Sequence, residues 1–111
     1  MPMLRGTLDP LVLKTVSWSP MHAFEIANWI EEQSDSRVQI DDAALLQALH
    51  RLEDRRYIAA EWGVTENARR AKYYSLTAAG RAYLRTEAAR LVDHLDAIVS
   101  ILSAKTSTPR G

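Results

Sequence analysis

The chain has 111 residues, of which 47% are hydrophobic and 25% charged. That length and apolar fraction suit one compact domain with a modest core and are too small for two. Cysteine is absent, which excludes disulfide scaffolds, thiolate zinc sites and cysteine nucleophiles. The apolar run nearest the N-terminus, residues 11–13, is short and lies between Asp9 and Lys14. We therefore expect neither a signal peptide nor a membrane span, and a cytoplasmic protein.

The formal net charge is zero, which by itself argues against a nucleic-acid-binding protein, because such proteins usually carry basic domains. The charges are unevenly distributed, however. Residues 1–50 carry three basic and seven acidic side chains, whereas residues 51–90 carry nine basic and five acidic ones. A surface that contacts DNA is therefore expected in the second half of the chain.

Cap residues and helical spacing predict two helices near the N-terminus. Thr7, followed by Pro10 in the first turn, predicts a hydroxyl N-cap and a helix that reaches about Trp18. Ser19 and Pro20 repeat that signal before a second amphipathic segment. The second helix is therefore expected to begin at this point.

A third helix is predicted after a short extended link at residues 38–40. Asp41 is its expected N-cap. Four apolar residues at helical spacing mark its buried side: Leu45, Ala48, Leu49 and Leu52.

From Tyr57 the hydrophobic period changes to two, which predicts two strands on either side of a polar loop. The loop is expected to span about nine residues, from Gly63 to Ala71. Loops of that length usually carry a function. Trp62 falls on the same strand face as Ile58, so its ring is expected in the core.

The last predicted element is a long helix capped by Thr77. Apolar residues recur along it at alternating spacings of four and three and form a heptad seam: Leu84, Ala88, Leu91, Leu95, Ile98 and Leu102. Val92 and Val99 widen this seam, so the helix is expected to pack on its own domain as well. Since a small domain cannot bury such a seam alone, we predict a homodimer. Residues 104–111 are expected to be a disordered tail.

This order of elements predicts an α+β, mostly helical fold, a winged helix-turn-helix with a long C-terminal dimerisation helix. Residues 1–77 would form the DNA-binding domain, and residues 78–103 the dimerisation helix of the same compact unit. In such folds the third helix enters the major groove, while the hairpin loop reaches the DNA backbone or minor groove.

Four stretches of the chain resemble the PadR-like transcriptional regulators: residues 4–13 (LRGTLDPLVL), 22–26 (HAFEI), 48–53 (ALHRLE) and 61–80 (EWGVTENARRAKYYSLTAAG). The resemblance implies a dimeric DNA-binding protein, usually a repressor, whose dimer contacts come from the C-terminal and first helices. It also implies the short subfamily with a single C-terminal helix. Many relatives respond to a small ligand such as a phenolic acid or an aromatic drug.

The third helix departs from the family pattern where it begins. Residues 43–47 are Ala, Ala, Leu, Leu and Gln, in place of the family's small polar residues followed by leucine, tyrosine and proline. Leu46 thus replaces a tyrosine, and Ala44 a hydroxyl. Ala23 and Phe24 likewise replace glycine and tyrosine. Fewer hydroxyls predict weaker affinity or sequence preference.

Two groups of side chains are predicted to contact DNA. The cations of the loop region are suited to phosphates, whereas on the third helix Gln47 can pair with adenine and Arg51 with guanine. For Arg51 the open alternatives are an ion pair with Asp54 and a simple solvated side chain. For the cations of the loop region the open alternative is a solvated charged loop. The complete set of candidate DNA-binding residues is Ala44, Leu46, Gln47, Arg51, Arg69, Arg70 and Lys72.

No enzyme activity, metal or cofactor is predicted. The three histidines lie on different predicted helices without a second ligand type at metal spacing. No glycine-rich phosphate loop is present, and Glu53 and Asp54 point in different directions on a helix. Trp18 and Trp29 are candidates for a pocket that binds a small aromatic effector, with core packing as the open alternative.

Two functions fit these observations. The first is a DNA-binding transcriptional regulator. The second is a winged-helix dimer that serves as a protein-interaction module, for which the zero net charge, the lost hydroxyls, and Asp41 and Asp42 at the helix start argue. The three cations of the loop region favour DNA, because a module that binds only protein has no need of them.

Overall fold

A computed structural model of the chain describes residues 6–105. Within this range lie three helices, a two-stranded hairpin and a fourth helix, in the order α1 (Leu8–Val16), α2 (Ala23–Gln33), α3 (Asp42–Asp54), β1 (Ile58–Val64), β2 (Arg70–Leu76) and α4 (Ala78–Leu102). The predicted α+β, mostly helical fold class is confirmed. No helix of the described range is long and apolar enough to cross a membrane.

The ends of α1 differ from the prediction. Thr7 has helical backbone angles (φ −89°, ψ −34°), and its side chain makes no cap hydrogen bond, whereas a capping residue needs an extended backbone. At the other end the helix stops at Val16, because the N–H groups of Ser17 and Trp18 bond three residues back and form a tighter turn. The prediction of a Thr7 hydroxyl cap was therefore wrong.

The start of α2 also differs, since His22 and not Ser19 is its N-cap. Nδ1 of His22 accepts the N–H of Glu25 at 3.3 Å, and the Glu25 carboxylate accepts the N–H of His22 at 3.2 Å, which makes a capping box. The helix begins late because Met21 forms two backbone hydrogen bonds with Tyr74 of β2, at 3.1 and 2.9 Å. An extended residue paired with a strand cannot be helical.

The third helix follows its prediction closely. A carboxylate oxygen of Asp41 accepts the N–H of Ala44 at 3.1 Å, as expected of an N-cap. The predicted buried side of the helix forms part of a single core between the first three helices, the base of the hairpin and the start of α4. The buried apolar residues of this core are Val12, Leu13, Val16, Ile26, Ile30, Leu45, Ala48, Leu49, Leu52, Ile58, Tyr74 and Leu84.

The hairpin is longer than predicted and its loop is shorter. The strands pair antiparallel from Ile58 opposite Leu76 to Val64 opposite Arg70, which leaves residues 65–69 as the turn. The pairing continues through Gly63, where the ring of Tyr73 occupies the space that a side chain would fill; a Cβ at Gly63 would lie 2.8 Å from that ring. The prediction of a nine-residue loop was wrong.

Trp62 shares the strand face of Ile58, as predicted, but it is not in the core. Ile58 is 2% exposed and Trp62 is 58% exposed. Four residues of strand advance the chain by about 13 Å, so the hairpin carries the ring beyond the edge of the core. The prediction of a buried Trp62 was wrong for this reason.

The long helix α4 is packed on the domain only near its start. Its predicted cap is confirmed, since the hydroxyl oxygen of Thr77 accepts the N–H of Gly80 at 3.0 Å. Leu84 is 9% exposed and lies in the core, whereas Leu102 is 79% exposed. Residues 106–111, most of the tail that we predict to be disordered, lie outside the described range. The division at residue 77 stays a prediction.

Replacing Gly80 by alanine is expected to destabilise the fold by about 1 to 3 kcal/mol, although alanine is the better helix former. The new Cβ would overlap the backbone carbonyl oxygen of Tyr57, which also accepts the N–H of Thr77 at 3.1 Å. Urea unfolding measures the difference. The control Ala79→Gly, at an exposed neighbouring position, should cost no more than about 1 kcal/mol. A Gly80→Ala midpoint equal to wild type would contradict the prediction.

Candidate nucleic-acid interface

An open groove of about 880 Å³ lies between the start of α2, the exposed side of α3 and the hairpin. We call the hairpin, residues 58–76, the wing. Leu46 contributes to the groove from α3, and the predicted cations Arg69, Arg70 and Lys72 contribute from the wing. Candidate residues from two separate parts of the sequence therefore line one concave surface.

The tip of the wing is a hydrogen-bonded turn. Thr65 accepts the N–H of Ala68 at 2.9 Å and donates its own N–H to the carbonyl of Arg69 at 2.8 Å. Ala68 has a left-handed backbone (φ 58°). This conformation closes such turns and is usually adopted by glycine or asparagine. Because the turn is closed in this way, Arg69 at its end and Arg70 at the start of β2 have a fixed place, with exposed side chains.

Trp62 lies beneath the cations of the wing. The guanidinium carbon of Arg70 is 4.7 Å from the centre of the Trp62 ring, and the ammonium nitrogen of Lys72 is 6.0 Å from it. Both distances fall within the range of cation–π attraction. Trp62, which lies outside the core, therefore has positively charged neighbours.

Lys72 lies nearer to α3 than to the turn. Its ammonium nitrogen is 3.7 Å from a carboxylate oxygen of Glu53, and each side chain is 35% exposed. The lysine thus joins the wing to the third helix and shares its charge with a carboxylate. Arg69 and Arg70 are in no ion pair within residues 6–105.

The exposed side of α3 carries the other candidates. Leu46 is 47% exposed, Gln47 is exposed and Ala44 is half-buried. At the start of the helix Asp41 and Asp42 are exposed as well, and their negative charge opposes the approach of phosphates.

Arg51 is engaged with the first helix. Its guanidinium donates to the Asp9 carboxylate at 2.8 Å, so the partner is neither Asp54 nor a group of the groove. The arginine side chain is 48% exposed. Asp9 therefore competes with DNA for the guanidinium of Arg51, and a DNA contact by this residue stays a prediction.

The two tryptophans of the predicted effector pocket have different surroundings. Trp18 is 63% exposed, and the ammonium nitrogen of Lys14 lies 4.9 Å from the centre of its ring. Trp29 is partly buried and packs against the core. Neither lines the groove or a second cavity of about 430 Å³ between the start of α1 and the middle of α4. An effector site at these rings stays a prediction.

The heptad seam is largely uncovered in a single chain. Leu91 and Ile98 are half-buried, while Leu95 is 38% exposed. Val92 and Val99 beside them are 56% and 57% exposed. The second half of α4 therefore presents an apolar surface that is only partly covered by residues 6–105 of the same chain.

One titratable residue that lines the groove, Tyr74, has a pKa shifted by its surroundings. No three His, Asp or Glu side chains of residues 6–105 come together as a metal site. Burial raises the pKa of Tyr74, which lines the groove, and the positive charge of Lys72 opposes this effect only in part. The hydroxyl of Tyr74 is therefore protonated at neutral pH.

Three helices followed by a basic hairpin, with a groove between the hairpin and the third helix, define a winged helix-turn-helix protein of the DNA-binding regulator class. Residues 12–86 match the model of the Transcriptional regulator PadR-like family. The chain therefore belongs to that family, which is one of transcription regulators and not of enzymes. The resemblance that the sequence motifs indicated is confirmed.

Relatives of known sequence or structure agree with this assignment. Over 81 residues the chain is 32% identical to an uncharacterized protein from Lysinibacillus sphaericus, covering 73% of this chain and 74% of the relative. It is similar to a PadR family transcriptional regulator from Eggerthella lenta, with 26% identity, a TM-score of 0.74, and coverage of 91% and 86%. A transcriptional regulator from Clostridium thermocellum shares the fold, with 24% identity, a TM-score of 0.78, and coverage of 90% and 96%.

Proposed function

We propose that this chain is a cytoplasmic transcriptional repressor that binds operator DNA as a homodimer through α3 and the wing. The observation that carries the proposal is the groove, in which Leu46 of α3 and the cations of the wing line one concave surface; Ala44, Gln47 and Arg51 lie on α3 outside that lining. The major groove of B-DNA is about 12 Å wide and admits one helix. A hairpin beside that helix then meets the adjacent sugar–phosphate backbone.

In this proposal the wing contacts the phosphates of the DNA and α3 contacts the bases. Arg69 and Arg70 are long, exposed cations outside any ion pair within residues 6–105, so they are suited to phosphates. Lys72 contributes less, because Glu53 already neutralises part of its charge. Gln47 is exposed on a rigid helix, where its amide can form two hydrogen bonds with adenine.

The proposed homodimer rests on the heptad seam. Apolar side chains that repeat along one side of a helix lower the free energy when a second copy removes them from water. Two copies would also present two wings and two third helices, which suits an operator with two half-sites. Part of the seam near Leu84 serves the core of its own chain, so we assign the intersubunit contact to residues 91–102.

A protein-interaction module is the second candidate, and a specific observation favours it. Phe24 is 71% exposed, and with Leu46 and Trp62 it gives the groove an apolar lining beside its cations. Such a surface suits an acidic peptide with apolar side chains as well as DNA. The two candidates differ in whether the protein binds duplex DNA at low salt.

Changing both Arg69 and Arg70 to alanine is expected to weaken binding to all DNA sequences alike. Each lost phosphate contact flattens the slope of log affinity against log salt by about 0.9. If both residues contact phosphate in both subunits, the slope should fall by roughly 3 to 4 units. The measurement is a salt titration on a labelled duplex from the region upstream of the protein's own gene and on a scrambled duplex.

Gln47→Ala provides a matched contrast in the same titration. It should leave the salt slope and the binding to scrambled DNA nearly unchanged, because no charge is lost. Discrimination in favour of the operator should fall by about 1 to 3 kcal/mol per half-site if the contact is bidentate. If no duplex bound at low salt, or if the wing double variant kept the wild-type slope, the interaction-module candidate would replace this proposal.

Changing Leu91 and Leu95 to aspartate is expected to convert the dimer to a monomer, since each new carboxylate would be buried without a partner. Light scattering at micromolar concentration measures the mass. The control Ala89→Asp/Ser100→Asp adds the same charge at exposed positions of α4 outside the heptad seam and should remain dimeric. A monomeric wild-type protein, or a control that also dissociates, would count against the proposed interface.

A further inference from the structure

We propose that Trp62 is a positioning residue for DNA binding, whose ring holds the guanidinium of Arg70 at the edge of the groove. The inference rests on the proposed function and adds a residue that no DNA-contact prediction included. Its basis is the short distance, 4.7 Å, between the Arg70 guanidinium carbon and the centre of the Trp62 ring.

The strand register accounts for this contact. Trp62 lies directly opposite Lys72, and Val64 directly opposite Arg70. Side chains two residues apart on a strand share one face, so Arg70 is the diagonal neighbour of Trp62 on that face. Diagonal neighbours lie about 7 to 8 Å apart at Cα, within reach of an aromatic ring and a long side chain. The pairing therefore follows from the backbone and needs no adjustment of the turn.

The stacked arginine keeps its capacity to bind phosphate. A guanidinium contacts a ring through its flat face, while its N–H groups lie in the guanidinium plane and point outward. Within residues 6–105 no carboxylate forms an ion pair with Arg70. The ring thus restricts the conformations of the side chain without occupying its donors. Lys72 is the opposite case, because its ammonium group is held by the Glu53 carboxylate.

The exposure of Trp62 also argues for a role outside the core. Its ring is 58% exposed, so most of its apolar area gains nothing from folding. Val64, on the same face and 66% exposed, has no aromatic face and cannot attract a cation in this way. Arg69 has no ring contact among the described residues. These two residues are therefore natural controls.

The expected effect follows from the strength of an exposed cation–π contact. Loss of the ring should weaken DNA binding by about two- to fivefold per wing. For a dimer that uses both wings, the factors multiply to about four- to twenty-fivefold.

The experiment measures binding of the labelled upstream duplex by wild type and by W62A, W62F, V64A, R69A, R70A, W62A/R69A and W62A/R70A. W62A should weaken binding by the stated factor. W62F should keep most of the wild-type affinity, since phenylalanine keeps an aromatic face. V64A removes apolar area from the same face of the wing but leaves the ring contact of Arg70 in place, so it should weaken binding less than W62A does. In the R70A background W62A should have little further effect, whereas in an R69A background it should keep its full effect.

A second measurement needs no DNA. In the wild-type protein the ring should shift the Arg70 side-chain Nε–H proton upfield in an NMR spectrum, and W62A should abolish that shift while the shift of Arg69 stays unchanged. An Arg70 signal that is the same in wild type and W62A overturns the contact itself. An equal loss of binding from W62A in the presence and absence of Arg70, or from V64A, overturns the positioning role. Wild-type protein that binds no duplex overturns the proposed function, even when the NMR shift demonstrates the contact.

Discussion

The two backbone hydrogen bonds between Met21 and Tyr74 determine where the wing stands relative to the helices. Tyr74 is in the middle of β2, pairs with Ala60 on its other edge, and is 4% exposed in the core. A single residue thus joins the start of α2, both strands and the packed interior. Because this point is fixed, the outer part of the hairpin projects past the core and faces α3 across the groove. An isolated two-stranded hairpin is only marginally stable in water, so this one depends on its attachment to the helices and on the core contacts of its base.

The zero net charge of the chain conceals a local arrangement of charges around the groove. Arg69 lies at the end of the closed turn and Arg70 at the start of β2, while Asp41 and Asp42 are exposed at the start of α3. Coulomb interactions between exposed groups are screened over about 8 to 10 Å at ordinary salt. The cations of the wing can therefore attract phosphates although the molecule as a whole is neutral. The charges nearest to the groove, and not the net charge of the chain, decide whether the surface attracts phosphates.

Two helix caps with a local cause were predicted correctly from the sequence, whereas features with a distant cause were not. Asp41 and Thr77 each cap a helix by accepting the N–H of the residue three positions further along the chain, so both caps were predicted correctly. The start of α2 depends on the pairing of Met21 with Tyr74, and Asp9, the partner of Arg51, lies 42 positions away along the chain. Neither feature can therefore be predicted from the neighbouring sequence. For Trp62 the period of two gave the correct face, but periodicity carries no information on distance from the core. A hairpin register with the correct five-residue turn would have placed Trp62 opposite Lys72.

The ion pair between Arg51 and Asp9 links the third helix to the first. It connects the last turn of α3 to the first turn of α1, two helices that also meet in the core. Exposed pairs of this kind contribute at most about 1 kcal/mol and weaken as salt is added. The pair therefore adds a weak link to the packing contact between α1 and α3. Salt leaves the packed core in place but weakens this link, so the coupling between the two helices has one component that depends on ionic strength and one that does not.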